Sequence, residues 1–454
     1  MALEYDVLIA GAGTAGSYVA WKLAELGLMC AVLERRKLDE LATEIGPFHV
    51  EEHAFEQFGI PLPEGDELLH RIDRVTNWSP RFLQSFGFSF PTLVMDKPLF
   101  TRRLHSCALE AGAEIIEEAE VSGLLFEGGV LRGLRARLPG GEVELRARLV
   151  VDATGIDGAV RTLMPHTRWF ENDPVAAEDT IYVYMETWKD VRGSFPEGIN
   201  SFPKYIGWCA PGPGDTRIVG VGMGGSMEAA RRRHRQMLEL LPLEGTVAGS
   251  TGGRIPYRRP PFSLVDNSLM VVGDAACMNK PFSGEGVTSG FTGCRALVET
   301  AAAALSDDDL TRDALWSYNV EYFQGQGAKF ALLTSLLPAV MSMSEEEMEL
   351  FFSLPGLLTE SGALALQKEY ELEADTAEAL KALPAVLRAV VGGRLRPSSL
   401  ARIARMGIVG STLRGLYWRY PETTLEFGPW MRRASFLWKQ AEQAKRAFFQ
   451  SVKI

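Results

Sequence analysis

Uninterrupted apolar runs at Val7-Leu8-Ile9 and from Met29 to Leu33 bracket a stretch in which Val19, Ala20, Leu23 and Leu26 recur at helical spacing. Runs without polar alternation suit strands covered on both faces, and a spacing of three to four suits one face of a helix. The pattern predicts strand, helix and strand over residues 6–36, a βαβ unit whose helix stops at Gly27. A second helix is predicted over residues 98–111, with Leu99, Phe100, Leu104, Cys107, Ala108 and Ala111 on its apolar face, followed by a strand at 114–116. Over residues 121–151 the period falls to two, with Gly128-Gly129 and Pro139-Gly140-Gly141 at the turns. That is the signature of a three-stranded antiparallel meander, here feeding the buried strand of LVVDATG. Residues 180–224 predict a second antiparallel sheet, and 227–241 a helix whose RRRHR run is read as a solvated face. A buried strand at 269–272 leads through a glycine loop into a long small-residue helix. Beyond Ser306 the chain reads as helical, with a new start where Ser344 and Glu347 match a capping box. Residues 37–91 show no such period: a helix-to-loop region and then a proline-, aromatic- and glycine-rich segment, read as an insertion belonging to a site rather than to a sheet.

At 454 residues the chain is long enough for two or three lobes, each with its own core. Its five cysteines (Cys30, Cys107, Cys209, Cys277, Cys294) are odd in number and scattered, with no CxxC pair. That argues against disulfide frameworks, zinc sites and cysteine-held clusters, and fits a reducing compartment. No metal site is expected. With no signal peptide before the first strand, and an apolar stretch at 330–343 too short and too interrupted to span a bilayer, a cytoplasmic location is expected. The net charge of −11 argues against nucleic acid. It is unevenly spread: from Arg394 onward twelve Lys/Arg face three acids, a +9 tail on a body of −20. Leu416, Tyr417, Trp418, Tyr420, Phe427, Trp430, Phe436, Leu437, Trp438, Phe448 and Phe449 interleave with those cations. Such a tail suits either peripheral attachment at the inner membrane face or a helical domain packed against the acidic body.

Gly11, Gly13 and Gly16 give the G-x-G-x-x-G spacing between the first strand and its helix. The first glycine permits the tight turn, the second lets backbone approach a pyrophosphate and the third lets helix and strand pack closely. Glu34, at the end of the second strand, is placed to accept both hydroxyls of an adenosine ribose and to repel a 2′-phosphate, favouring FAD or NAD over NADP. Two further glycine-bearing loops follow buried strands, DATGIDG at 152–158 and GDAACMNKPFSGEG at 273–286.

The order and spacing of these three loops resemble the FAD-containing reductase and hydroxylase superfamily typified by p-hydroxybenzoate hydroxylase. The nearest resemblance is to its geranylgeranyl reductase branch, over nearly the first 330 residues. The resemblance implies an α/β fold: a Rossmann-type FAD-binding domain (1–60, 92–165 and 265–305), an antiparallel-sheet substrate domain (61–91 and 166–264) and a helical C-terminal domain (306–454). It implies that Asp274 binds the ribityl or pyrophosphate region, the alternative being a helix cap. Pro281, Gly284, Gly286 and Val287 match a P-x-x-G-E-G-V run near the flavin's N1–C2=O edge, where a helix start would stabilise negative charge. Lys97 falls where the family usually has an arginine, keeping the charge without the planar fork. Ala15, Arg35, Val121, Thr154 and Gly155 complete the implied cofactor contacts, and Thr154-Gly155 in place of the hydroxylases' Asp-Gly favours a reductase. Tyr205 and Trp208, in YIGWCAP, resemble a run lining the prenyl channel, the alternative being a sheet-core pair.

The function so implied is reduction of an isoprenoid C=C by hydride from flavin N5, with FAD as cofactor and NAD(P)H or ferredoxin as external electron donor. His49, in the loop after the second strand, and Cys277, in the flavin loop, are candidate proton donors, set against readings as a loop histidine and a core thiol. The competing functions are an FAD monooxygenase acting on an aromatic ring and an electron-transfer flavoprotein reducing quinone.

Overall fold

The computed structural model describes residues 4–41, 47–193, 195–354, 356–372 and 376–451. Strands β1 (Glu4–Ala10) and β2 (Cys30–Leu33) are parallel neighbours joined by helix α1 (Thr14–Glu25), the expected βαβ unit. Leu26 departs from its predicted place on the buried face. It caps the helix, Gly27 turns away with φ +83°, and its side chain is exposed.

Residues 37–91 hold more strand than the periodicity shows. Strands β3 (Phe48–Glu51), β4 (Leu68–Trp78) and β5 (Ser85–Met95), with the short helix α2 (His53–Gln57) between the first two, form one edge of the second sheet. Much of this segment, read as an insertion, is sheet, residues 61–91 falling within the limits given for the antiparallel-sheet domain, and part of its predicted helix-to-loop region, 42–46, lies outside the described residues. Domain limits at 60/61 and 91/92 cut through this sheet, because β3 pairs with the end of β5 (Phe48 opposite Met95).

Helix α3 (Lys97–Glu110) starts where Asp96 accepts the Leu99 N–H at 2.9 Å. After β6 (Glu114–Ile116) the meander is β7 (Glu120–Glu127), β8 (Val130–Leu138) and β9 (Gly141–Asp152). Gly128 and Gly129 both take positive φ at the first hairpin, which that tight turn requires. Helix α4 (Ala159–Leu163) precedes β10 (Thr180–Arg192), β11 (Ile199–Phe202), β12 (Gly207–Pro211) and β13 (Arg217–Gly224). Helix α5 (Met227–Leu238) presents Arg231, Arg232 and Arg235 to solvent as expected. His234 is instead buried, its Nε2 3.1 Å from the Val219 carbonyl. A strand the periodicity did not show, β14 (Glu244–Pro256), pairs with β10; β15 (Val265–Asp266) and β16 (Leu269–Val271) then return to the first sheet.

The first sheet runs β15-β16-β9-β1-β2-β6, with β8 and β7 continuing from β9; the second runs β14-β10-β13-β12-β11-β4-β5-β3. The rest is helical: α6 (Val287–Ser306), α7 (Trp316–Tyr322), α8 (Ala328–Met341), α9 (Glu345–Ser353), α10 (Glu360–Glu369), α11 (Thr376–Val391), α12 (Pro397–Tyr417) and α13 (Thr424–Ser451). The Ser344/Glu347 capping box forms in full at the start of α9. No single described helix is long and apolar enough to cross a membrane, although α7–α8 with α9, bent by 113°, passes such a test as a pair.

The aromatic tail is mostly interior. Tyr417, Tyr420, Phe427, Trp430 and Trp438 are buried; Trp316 and Trp169 of the body stack on this cluster and Phe262 meets it edge-on. Lys445 pairs with Asp179 at 2.6 Å, tying α13 to the body. Trp418 and Phe436 remain exposed, at 60% and 68%.

Candidate active site

Strands β16, β9 and β1 are adjacent and parallel, so their carboxyl ends bring the three glycine loops side by side. Open α/β sheets hold ligands at that edge. The three glycines of the first loop divide the work. A Cβ on Gly11 would stand 2.4 Å from the Ala153 carbonyl oxygen, and one on Gly16 1.9 Å from that of Gly11, so these two close the turn and seat the helix. A Cβ on Gly13 would meet nothing within 4 Å; this glycine faces a cavity of about 960 Å³. Gly13 and Gly286 immediately precede α1 and α6, and neither helix has a side-chain cap or an acid in its first turn. Uncapped N–H groups and the dipole's positive end both favour an anion there.

Glu34 is buried, and its two oxygens accept the Ala12 and Arg36 N–H groups, each at 3.0 Å. The carboxylate thus shapes the glycine turn while keeping a second lone pair on each oxygen for a ribose. Behind the turn, His105 sits with Nε2 2.8 Å from the Ala12 carbonyl, and burial lowers its pKa. Asp152 builds the middle loop, accepting from Thr154 N and Oγ1 and from Arg161 N at 2.6–3.0 Å. Asp157 ties that loop to Arg35 and Arg254, at 3.1 and 3.2 Å.

The cavity is lined by Gly11, Gly13, Ala15, Glu34, Arg35, His49, Lys97, Val121, Thr154, Gly155, Trp208, Asp274, Pro281, Gly284, Gly286 and Val287. Gly16 lies behind it, in the helix–strand contact. Asp274 caps no helix; it accepts from Asn279 at 3.0 Å, and burial raises its pKa. Two residues are misplaced by the sequence reading. Tyr205 is 4% exposed in the core beneath α5, with the Arg233 guanidinium 4.4 Å from its ring centre, and does not line the cavity. Cys277, at φ +56° in the turn after β16, is buried away from the cavity, where burial pushes its thiol up to about 11. His49 does line it, but from strand β3, opposite Val94, rather than from a loop. Burial lowers its pKa, with Glu285 and Glu51 pulling the other way.

Sequence reasoning missed two sets of residues. Lys280, almost fully buried, bonds Glu51 and, at 3.1 Å, Glu285; Glu51 also accepts the Thr288 hydroxyl in the first turn of α6. Burial would raise the Glu51 carboxyl, yet the adjacent ammonium brings it below the ordinary range. The other set is an apolar extension. Phe86, Phe88 and Phe90 of β5, Met185 of β10 and Trp208 of β12 face Met341, Met348, Phe351 and Phe352 of α8 and α9 across one continuous space. The alternation Ser85-Phe86-Gly87-Phe88-Ser89-Phe90 was the available signal.

These residues fit FAD: an open approach at Gly13, two uncapped helix starts, a ribose acceptor in Glu34 and cations at Arg35 and Lys97. No family model matches the chain. It is 24% identical over 444 residues to a digeranylgeranylglycerophospholipid reductase of Sulfolobus acidocaldarius, covering 95% of this chain and 96% of that one. A second such reductase, from Methanopyrus kandleri, is 27% identical over 404 residues, with 85% and 98% covered. Among solved structures, a geranylgeranyl bacteriochlorophyll reductase-like protein of Thermoplasma acidophilum superposes with a TM-score of 0.71 at 17% identity, over 86% of this chain and 99% of that one. A flavin-dependent brominase gives 0.65, also at 17% identity, over 85% and 99%. The chain thus shares the fold of flavin-dependent proteins, has a cradle that fits FAD, and is similar in sequence to the digeranylgeranylglycerophospholipid reductases.

Proposed function

We propose that the protein saturates C=C bonds of an isoprenoid chain carried by a lipid, a diphosphate or a quinone. The observation that carries the reading is the single cavity that joins the cofactor loops to the apolar space between β5 and helices α8–α9. FAD held at the α1 and α6 N-termini and by Glu34 would supply the hydride from N5, its electrons coming from an external donor such as NAD(P)H or ferredoxin. The protein's part is to orient and to keep dry. Phenylalanine, methionine and tryptophan side chains hold an apolar chain without offering it hydrogen bonds, and keep water out of the site. Sustained turnover without oxygen would separate this reading from a monooxygenase.

An unactivated alkene also needs a proton, and of the two candidates His49 alone lines the cavity. Its folded pKa lies below the ordinary histidine value, so the protonated fraction falls as pH rises through that lowered value. Turnover should therefore decline with rising pH on that limb, and His49→Gln should flatten the limb while retaining FAD. A limb unchanged in the variant would remove His49 from the role.

The exposed remainder of the tail, Trp418 and Phe436 with Arg419, Arg432 and Arg433, lines a surface groove between α12 and α13 or flanks it, and suits attachment to anionic lipid. Binding to anionic vesicles should fall with salt and on replacing Arg432, Arg433 and Lys439 with glutamine. Indifference to both leaves the tail purely structural.

A further inference from the structure

The apolar end of the cavity has a direction. Thr92 of β5 lies opposite Glu51, which holds Thr288 at the start of α6, so this end of the strand is at the cofactor. Phe90, Phe88 and Phe86 line the cavity successively farther away. At about 3.3 Å per residue, Phe86 is roughly 20 Å from Thr92, the scale of an extended prenyl chain. There the Phe352 ring of α9 meets the Phe86 ring, centroids 5.8 Å apart. Immediately beyond, the β4–β5 turn is fastened to the same helix: Ser79 donates to Glu349 at 2.6 Å and Arg81 pairs with Glu346 at 2.5 Å. Sheet and helices are thus drawn together just past the aromatic pair.

Building on the proposed isoprenoid reduction, we infer that Phe86 and Phe352 form the stop that sets how long a chain the enzyme accepts. Neither residue lies among the cofactor loops, so their truncation should deepen the channel and leave the reacting end alone. Of the β5 residues that line the cavity Phe86 is the farthest from Thr92, and the Phe352 ring packs against it, so removing either ring opens space at that end.

The test is a set of single variants, Phe86→Ala, Phe352→Ala and the milder Phe352→Leu, assayed on prenyl alcohols of increasing isoprene number. FAD content should match the parent. The first chain length that the parent rejects should gain about tenfold or more in kcat/KM, the scale at which hydrophobic pockets discriminate by size. Saturated alcohols, which cannot be reduced, should show the same shift in binding by fluorescence quenching. An unchanged length profile in variants that still reduce and still bind would overturn the stop alone. A parent protein that reduces and binds no prenyl chain would overturn the isoprenoid reading, and the stop with it.

Discussion

Gly13→Val should fold like the parent protein and fail to hold FAD. The backbone at Gly13 has φ −68°, open to any residue, and a Cβ there meets nothing within 4 Å, so nothing in the protein resists the substitution. The branched side chain would instead fill the approach to the α1 N-terminus where a pyrophosphate must come close to backbone. Stability of the flavin-free protein should stay within about 0.5 kcal/mol of the parent. FAD affinity should fall by a hundredfold or more, about 2.7 kcal/mol. Gly16→Ala offers the contrast: its Cβ would stand 1.9 Å from a carbonyl oxygen, so it should damage folding whether or not flavin is present. Full flavin retention by Gly13→Val would place the cofactor elsewhere.

The second large effect is expected at Lys280. Its ammonium is enclosed and is held between Glu51, itself buried, and Glu285. Lys280→Met leaves the Glu51 carboxylate buried without a cation, held by neutral donors such as the Thr288 hydroxyl. Breaking a buried pair from one side typically costs about 3–5 kcal/mol, whereas replacing both partners with uncharged groups costs far less. The single variant should therefore lose that much in urea unfolding, and Lys280→Met with Glu51→Gln should regain most of it. A loss below about 1 kcal/mol in the single variant would mean that the pair is exposed to water in solution. Because Glu51 and Thr288 connect β3 to the first turn of α6, the single variant should also bind FAD more weakly.

What was legible in the sequence was what is local. The glycine turn, the hairpin at Gly128-Gly129 and the capping box at Ser344 each depend on residues a few positions apart, and each forms. The junction of the second sheet was not legible, because β4 finds its neighbour β11 more than a hundred residues away, Val75 opposite Ile199; its other neighbour, β5, follows across a short turn that the periodicity did not mark. Facing was equally hidden. Tyr205 and Trp208 are three residues apart, yet Ile206 between them takes φ +49° and they part, one into the core and the other into the cavity. Cys277 is in the flavin loop by sequence and behind it in space. The tail's composition suited a membrane face as well as the packed helical domain; the partners Trp316, Phe262 and Asp179 show that most of it is packed.

The central claim, that this cavity brings a prenyl chain to reduced FAD, is tested most directly without oxygen. FAD-loaded protein reduced with dithionite is incubated anaerobically with a prenyl lipid, and the product mass is read. The account predicts a gain of two hydrogens per double bond with matching flavin oxidation, lost in Gly13→Val. Unchanged lipid beside reduced flavin, with turnover and oxygen insertion appearing only when air is admitted, would contradict it.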